Sequence, residues 1–416
     1  MGSNKKYSEY KAYQYLEPGV DYKEFKLRNA IIKDWEYKVQ LSKNEEERFE
    51  EIIEKNIVVD LHAHPVIGPE DMNQHSDMNR EGRSFMAYEA LSFSGLDCIF
   101  DNLMDGSCNM YTKHGWDWMG TIHDLGMRLC DIAHQDFVIH CKRVDDIIKA
   151  RNKGKLAWVG VLESSSCIES EVDRIDILYG LGIRSMGINY SESNMLGTGL
   201  KENRDGGLTD FGYDAVVRMN KLGMLIDAAH VSVQTAIDTI EASKKPIVLS
   251  HTGAKALTPT TRMFPDEVLK ALAEKGGVVG IEAAPNMTAT KKNPGHSIES
   301  YMEHIEYCID LIGIDHVGCG PDTNYKDHVG LYLINLERSK TEGLGHYPRP
   351  TEKKPRFLGI SMDVETLKKL KYVKGMENPT ECVQNVARWM VKHGYSDEEV
   401  AKVIGRNALQ LLMKVW

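Results

Sequence analysis

From residue 57 onward, short runs of apolar and often β-branched residues alternate with longer stretches whose apolar residues recur every three or four positions. This alternation is typical of repeated strand and helix units. The predicted strands are Ile57–Leu61, Leu96–Phe100, Trp158–Leu162, Ser185–Asn189, Met224–Asp227, Ile247–Ser250, Val278–Ile281 and Val317–Gly320. The predicted helices include Tyr213–Leu222, Val233–Ala242, Asp266–Glu274 and Ile298–Ile312. Eight nearly continuous apolar strands favour a parallel sheet covered on both faces, and they predict an α/β fold of the (β/α)8 TIM barrel type.

The segments that flank this pattern are different in character. Residues 1 to about 43 are polar and rich in Tyr and Lys, which predicts an extended arm, and Asn44–Lys55 has the spacing of a lead-in helix. A polar stretch of about 324–377 is too long for a simple connection and predicts an insertion after strand 8. Two C-terminal helices, Thr380–Lys392 and Asp397–Ile404, are expected on the barrel exterior. We therefore predict an arm over residues 1–56 and a single barrel domain over 57–416.

Composition narrows the class of protein. The 416 residues carry 51 Lys and Arg against 61 Asp and Glu, a net charge of −10, and basic runs are limited to short Lys pairs, so a nucleic-acid partner is not expected. The eight cysteines are dispersed and form no C-x-x-C pair, which favours a reducing compartment over a disulfide scaffold. No signal peptide and no membrane span are visible in the sequence, so the expected location is cytoplasmic.

The first candidate chemistry is a pair of histidines at the end of the first predicted strand. His62 and His64 are two residues apart, and strand alternation turns both side chains to the same face. Two neutral imidazoles on one strand can hold a metal ion. A lone His-x-His pair is weak support, because surface histidines and hydrogen-bonded core histidines produce the same pattern.

The same feature recurs at the ends of other predicted strands. The polar residues that follow or end these strands are Glu163, His230, His251 and Asp322. Each one has an ordinary alternative; a carboxylate such as Glu163, for example, often caps the next helix. Convergence of polar side chains at the carboxyl ends of barrel strands is nevertheless how this fold builds active sites. Histidines with a shared carboxylate favour zinc, two ions can share a bridging hydroxide, and Asp322 is suited to proton transfer.

A further set of short motifs follows in order along the chain. It comprises Gly207–Gly212, Met219–Asp227, Ala229–Ser232, Ser250-His251, Arg262 with Pro265-Asp266, Gly276–Gly280, Asp315–Gly318 and Gly405–Asn407. In sequence and spacing these motifs resemble the membrane (renal) dipeptidase family of the amidohydrolase superfamily. The likeness covers roughly Ile57 to Trp416 apart from the insertion.

The resemblance implies a binuclear zinc site and a role for each matching residue. His62 and His64 would hold one ion, His230 and His251 would hold the other, and Glu163 would bridge them. Asp322 falls where the family has its catalytic acid and base. Arg262 falls where the family has the arginine that receives the substrate's free carboxylate, a task that suits a guanidinium. Without the resemblance, Arg262 would be interpreted as a surface loop residue.

Three positions depart from the family pattern. Family members usually carry Asp where this chain has His64, so one negative charge is lost from the metal site. Tyr190 stands where the family has a histidine; its phenol can still donate to a developing oxyanion but cannot carry the positive charge. The segment Glu282-Ala283-Ala284 replaces the family's more usual Asn-Phe-Tyr run. These changes alter the substrate pocket more than the metal ligands.

Together these features predict a zinc-dependent hydrolase that cleaves the amide bond of dipeptides or small dipeptide-like acids through a metal-bridging hydroxide. The expected partner is a small substrate with a free carboxylate, and the resemblance adds a homodimer as an expectation. A related amidohydrolase acting on N-acyl amino acids, cyclic amides or lactones is the alternative to which His64 and Tyr190 point. A binding protein that recognises a small acid without turnover is less favoured, because every metal position carries a competent ligand.

Overall fold

The protein is described by a computed structural model, and its architecture is a parallel sheet surrounded by helices. The described residues are 6–30, 37–81, 83–103, 117–285, 287–325, 328–331, 333, 356–357, 360–361 and 373–416. Most of the predicted insertion, about 324–377, lies outside this described part of the chain. Among the described residues, no helix is both long enough and apolar enough to cross a membrane.

In the described part of the chain, ten strands form the main sheet, and all of their pairings are parallel. They are β1 Val59–Ile67, β2 Cys98–Leu103, β3 Val138–His140, β4 Leu156–Leu162, β5 Ile183–Gly187, β6 Leu225–Asp227, β7 Val248–Thr252, β8 Val278–Ile281, β9 Val317–Cys319 and β10 Thr323–Tyr325. Their order is β10-β1-β2-β4-β5-β6-β7-β8-β9, and β3 pairs with β4. A separate antiparallel pair consists of β11 Arg356–Phe357 and β12 Ile360–Ser361. Each of the eight predicted strands overlaps an observed strand, so the predicted fold class is confirmed.

The eighth strand of the barrel is split into two short pieces. Its first piece, β9, pairs with β8, and its second piece, β10, pairs with β1. Between the pieces, the backbone N–H of Asp322 donates to the carbonyl of His62 at 3.1 Å, and Asp322 has a φ of 56°. This left-handed backbone conformation is uncommon for residues other than glycine, although Asp adopts it more readily than most. The break therefore joins both edges of the sheet and turns Asp322 out of the regular strand.

Helices cover the outside of the sheet. They are α1 Lys43–Lys55, α2 His75–Arg80, α3 Tyr88–Ser92, α4 Trp118–Ala133, α5 Val144–Asn152, α6 Arg174–Leu181, α7 Asp210–Leu222, α8 Val233–Ala242, α9 Asp266–Glu274, α10 Ile298–Ile312, α11 Cys382–Lys392, α12 Asp397–Ala401 and α13 Asn407–Val415. The bounds of α8, α9 and α10 are those predicted from the apolar spacing. Local signals explain these bounds: the Ser232 hydroxyl accepts a hydrogen bond from the Thr235 N–H at the start of α8.

The C-terminal segment differs from the prediction of one helix over Asp397–Ile404. The helix α12 ends at Ala401, a π-helical turn spans Lys402–Arg406, and α13 follows. The turn is fixed by tertiary contacts, because a Cβ at Gly405 would lie 2.0 Å from the Ile57 carbonyl oxygen. The Asn407 amide also donates to the carbonyls of Ile314 and Val317 at 2.7 and 2.8 Å.

The last helix closes the barrel at the end opposite the predicted site. Leu411, Leu412 and Val415 of α13 share one apolar cluster with alternate residues of the strands. Several of these partners are the first residues of their strands, such as Val59 of β1 and Val248 of β7. Because the first residues of parallel strands lie at the same end of the sheet, α13 covers the amino-terminal end and leaves the carboxyl end for chemistry.

The N-terminal arm, from residue 6 to residue 30, contains no helix, and one carboxylate of the barrel binds two of its polar groups. Asp131 of α4 accepts hydrogen bonds from the Tyr10 hydroxyl at 2.8 Å and the Tyr13 N–H at 2.7 Å. Its other oxygen accepts from the Tyr88 hydroxyl at 2.8 Å. A buried carboxylate satisfied by three donors ties the arm to α3 and α4.

Two buried histidines support the loops that follow β7 and β8. His304 accepts a hydrogen bond from the Ala254 N–H at 3.0 Å, and His296 accepts one from the Thr288 N–H at 3.0 Å. Burial lowers the pKa of His304 to about 4 and the pKa of His296 to about 3. Both side chains are therefore neutral in the folded protein at ordinary pH.

We expect the free energy of unfolding to fall as the pH drops below about 6.5, because the unfolded chain then protonates these histidines and the folded chain does not. Replacing His304 with Gln should reduce the difference in bound protons between the unfolded and the folded chain by close to one. The corresponding change in slope is at most about 1.4 kcal/mol per pH unit between roughly pH 6 and 4.5. Urea titrations of the metal-free protein measure the slope.

The control for this experiment is His123→Gln, which changes an exposed histidine on α4. This variant should retain the wild-type slope. An unchanged slope in His304→Gln would contradict the assignment of His304 as a buried neutral histidine.

Candidate metal centre

The side chains predicted to hold metal meet at the carboxyl end of the barrel. They come from β1, from the residue after β4, from the loop after β6, from β7 and from the break between β9 and β10: His62, His64, Glu163, His230, His251 and Asp322. The four histidines and Glu163 are buried. Parallel strands place their carboxyl ends at one edge of the barrel, which is why residues far apart in sequence converge here.

The Glu163 carboxylate is the point at which the histidines converge. Its Oε1 lies 3.0 Å from His230 Nε2, 3.2 Å from His251 Nε2 and 3.5 Å from His62 Nε2. The Nε2 atoms of His230 and His251 are themselves 2.8 Å apart. One carboxylate oxygen thus faces three imidazole nitrogens.

A second group lies beside the first and shares His62. Asp322 Oδ1 is 3.1 Å from His64 Nε2 and 3.6 Å from His62 Nε2. The two groups, His62 with His64 and Asp322, and Glu163 with His230 and His251, each bring potential ligand atoms within 4.8 Å of one another. The structure therefore contains two adjacent groups of residues that could hold a metal ion, and Glu163 Oε1 is close to His62 as well as to His230 and His251.

The protonation states of these residues fit a cation. Burial lowers the pKa of His62 and of His251 well below the usual value, so their imidazoles are neutral and retain a lone pair. Among the described residues, His62 Nε2 and Glu163 Oε2 find no hydrogen-bond partner. Buried polar atoms rarely lack a partner, and imidazole nitrogens with carboxylate oxygens are the ligands that zinc prefers. The residues present thus fit a metal site.

The two carboxylates differ in their electrostatics. Burial raises the pKa of Glu163 to about 8, and a bound cation would act in the opposite direction. Burial also acts to raise the pKa of Asp322, but the hydrogen bond from His64 and the charges of the neighbouring histidines hold it at about 2. Asp322 is therefore ionised at ordinary pH.

Ser250 orients two of the candidate ligands at once. Its hydroxyl donates to the Asp227 carboxylate, and its oxygen lies 2.7 Å from His251 Nδ1 and 3.2 Å from His62 Nδ1. Because the hydroxyl proton is used on Asp227, the oxygen is left as an acceptor for an Nδ1–H group. With the proton on Nδ1, the Nε2 atom of each histidine, which faces Glu163, keeps its lone pair for a metal ion.

Other hydroxyl and amide groups complete this outer layer. The Ser191 hydroxyl lies 2.9 Å from His230 Nδ1, and the Asn102 amide lies 2.9 Å from His62 Nδ1. Sequence reasoning missed Ser250, Ser191 and Asn102. For two of them the signal was the one used for the candidate ligands: Asn102 is the next-to-last residue of β2, and Ser250 directly precedes His251 in β7.

Comparison with known proteins assigns the chain to a family. Residues 46–335 match the family described as membrane dipeptidase, peptidase family M19. The chain belongs to this family. It is 25% identical over 295 residues to the dipeptidase tcpJ of Claviceps purpurea, an alignment that spans 70% of this chain and 58% of the length of that protein.

Solved structures share the fold of this dipeptidase-family chain. An amidohydrolase from Pseudomonas aeruginosa aligns with a TM-score of 0.68 and 24% identity, covering 88% of this chain and 99% of that one. A metallo peptidase from Rhodobacter sphaeroides, liganded with a phosphinate mimic of the dipeptide L-Ala-D-Ala, aligns with a TM-score of 0.63 and 20% identity, covering 87% and 100%.

Two of the departures from the dipeptidase pattern, His64 and Tyr190, lie directly beside candidate ligands. His64 joins the group that contains Asp322. The Tyr190 ring stacks on the His230 ring at a centroid distance of 4.3 Å and an interplanar angle of 24°. Tyr190 thus contacts a candidate ligand directly.

Arg262 is buried, so its interpretation as a surface loop residue is wrong. Its guanidinium donates to the carbonyl oxygens of Ala229 at 2.9 Å and His251 at 2.6 Å. It also forms an ion pair with Glu282, at 2.8 Å between Nη2 and Oε2. Burial raises the pKa of Glu282, and the charge of Arg262 acts in the opposite direction.

We expect Ser250→Ala to lower zinc affinity by about 10- to 100-fold, because outer hydrogen bonds of this kind hold the ligand histidines in the binding tautomer. Isothermal titration of the metal-free protein with zinc measures the change. Ser243→Ala is the matched control, because Ser243 is also buried but bonds to Asn220 and Lys245. Equal zinc affinities for the two variants would contradict the role of Ser250.

Proposed function

We propose that this chain is a metal-dependent hydrolase that cleaves the amide bond of a dipeptide or a small dipeptide-like molecule. The observation that carries the proposal is the position of Glu163 Oε1, within 3.5 Å of the Nε2 atoms of three buried histidines. Membership of the dipeptidase family supports the same reaction class.

The proposed cofactor is a pair of zinc ions. His62 and His64 would hold one ion, His230 and His251 would hold the other, and Glu163 would bridge them. Bound at these ligands, the two ions would activate a water molecule near neutral pH and polarise the carbonyl of the scissile bond. The absence of hydrogen-bond partners for His62 Nε2 and Glu163 Oε2 among the described residues supports this arrangement.

Asp322 is the proposed proton carrier. Its carboxylate is ionised, lies 3.1 Å from His64 Nε2, and is held by a left-handed backbone at the break in the eighth strand. In this state it can accept a proton from the attacking water and pass it to the leaving amine. The break in the eighth strand holds the Asp322 carboxylate at the edge of the metal pocket, where it could reach both the attacking water and the leaving amine.

Tyr190 is the proposed donor to the carbonyl oxygen as negative charge develops there. The stacking of its ring on His230 fixes the phenol beside the metal pocket. A phenol can donate one hydrogen bond to an oxyanion without a change in its own charge.

Arg262 is the residue that the family resemblance assigns to the free carboxylate of the substrate. Its two bonds to the carbonyls of Ala229 and His251 hold it next to the candidate ligands. Its ion pair with Glu282 favours a second candidate function, which is hydrolysis of cyclic amides or lactones by the same centre. In that case the group beside Arg262 need not be a dipeptide carboxylate.

We expect the wild-type protein to carry two zinc ions per chain and to hydrolyse dipeptides, N-acyl amino acids or lactones from a substrate panel. Removal of zinc with a chelator should abolish turnover, and added zinc should restore it. Glu163→Ala should lose zinc and at least about 100-fold in kcat/KM, because even outer partners of a ligand are worth about 10- to 100-fold. Mass spectrometry of bound metal and a continuous assay measure both quantities.

The control is Glu46→Ala, which removes a carboxylate that pairs with Arg388 far from the site. It should retain both zinc ions and turnover. Full zinc occupancy with full activity in Glu163→Ala would sink the assignment, and zinc binding without turnover on any substrate would favour a binding protein.

A further inference from the structure

The sequence change at the end of β8 introduces a carboxylate into the candidate site. Glu282 directly follows β8, its N–H donates to the Thr252 carbonyl at 2.9 Å, and its side chain is completely buried. One of its carboxylate oxygens belongs to a group with His251 and Asp322 whose potential ligand atoms lie within 4.8 Å of one another. Glu282 therefore faces the metal pocket.

The same carboxylate neutralises Arg262. Glu282 Oε2 lies 2.8 Å from Arg262 Nη2, and both side chains are 1% exposed. A guanidinium stays protonated in proteins, so the charge of Arg262 persists and is balanced only by a neighbouring anion. A substrate carboxylate that approaches this position would meet a neutral pair and would lie close to a second negative charge.

The Glu282 carboxylate has acceptor capacity left. Within the described residues, both of its oxygens are buried and neither makes a hydrogen bond, although Oε2 takes part in the ion pair with Arg262. A buried acceptor without a partner is rare in proteins, and this carboxylate has an oxygen within 4.8 Å of potential ligand atoms of His251 and Asp322. A substrate N–H group would satisfy it, whereas a carboxylate would not.

We infer that Glu282 is a specificity-determining residue, which selects a small amide with a hydrogen-bond donor beside Arg262 and rejects a free carboxylate there. This inference rests on the proposed function and revises the expected substrate, not the chemistry. The negative charge of Glu282 would repel a substrate carboxylate, and its oxygen would accept a hydrogen bond from a substrate N–H group. Specific sites commonly combine a repulsive element with an attractive one in this way.

Two probes that differ only in the group beside Arg262 test the inference. They are phosphinate mimics of Ala-Ala that end in a carboxylate or in a carboxamide, and neither can be hydrolysed. Isothermal titration gives their dissociation constants for the zinc-loaded protein. We expect the wild type to bind the carboxamide at least about tenfold more tightly, because like charges placed together oppose binding.

Charge variants then isolate the contribution of Glu282. In Glu282→Gln the guanidinium of Arg262 is left unbalanced, so the ratio of the two constants should shift toward the carboxylate by at least about tenfold. The double variant Arg262→Gln with Glu282→Gln restores neutrality and should shift the ratio back toward the carboxamide. Glu46→Gln is the matched control, because it removes the charge from an arginine-bound carboxylate outside the site and should keep the wild-type ratio.

Each outcome bears on one of the two proposals. A wild type that prefers the carboxylate, or a Glu282→Gln variant with the wild-type ratio, overturns the role of Glu282. The wild-type preference decides the question by itself if Glu282→Gln does not fold. Failure of both probes to bind overturns the inference as well. Hydrolysis of Ala-Ala and its amide is assayed in parallel: the expected binding shifts without any turnover would sink the proposed function and leave the role of Glu282 intact.

Discussion

The contact on which the rest of the site depends is the buried carboxylate of Glu163 among imidazole nitrogens. Its Oε1 lies within 3.5 Å of Nε2 atoms from three strands or strand ends, and burial keeps the imidazoles of His62 and His251 neutral. A buried carboxylate surrounded by lone pairs is unfavourable unless positive charge is supplied. The arrangement is therefore suited to binding cations. The contacts of the Ser250 hydroxyl with the Nδ1 atoms of His62 and His251 orient the two rings so that their Nε2 atoms face Glu163.

The barrel is built to hold this arrangement at one end and to seal the other. The break in the eighth strand joins β8 to β1 and releases Asp322 toward the ligands, while α13 packs against the first residues of the strands. Close backbone contact makes the geometry rigid: a Cβ at Gly320 would lie 1.8 Å from the Ser250 carbonyl oxygen. Only glycine permits that approach.

Much of the fold and the residues that meet in the candidate metal centre could be predicted from sequence, because both follow from local patterns. Buried parallel strands are continuous apolar runs, and ligands at their ends are polar residues that stop those runs, as His62 and His251 do. Contacts between distant segments leave no such pattern. Ser250 contacts His62 only because β1 and β7 come together in the barrel. The packing of α13 against the amino-terminal end of the barrel depends on residues from many strands. The ion pair of Arg262 with Glu282 joins residues on two different loops.

The central claim is that two cations lie on either side of Glu163, and anomalous scattering from crystals of the zinc-loaded protein tests it most directly. The account predicts two peaks at the zinc absorption edge, about 3.5 to 4 Å apart as in other two-metal sites. One should lie beside His62 and His64 and the other beside His230 and His251, with the Glu163 carboxylate between them. A single peak, or zinc bound elsewhere in the protein, would contradict it.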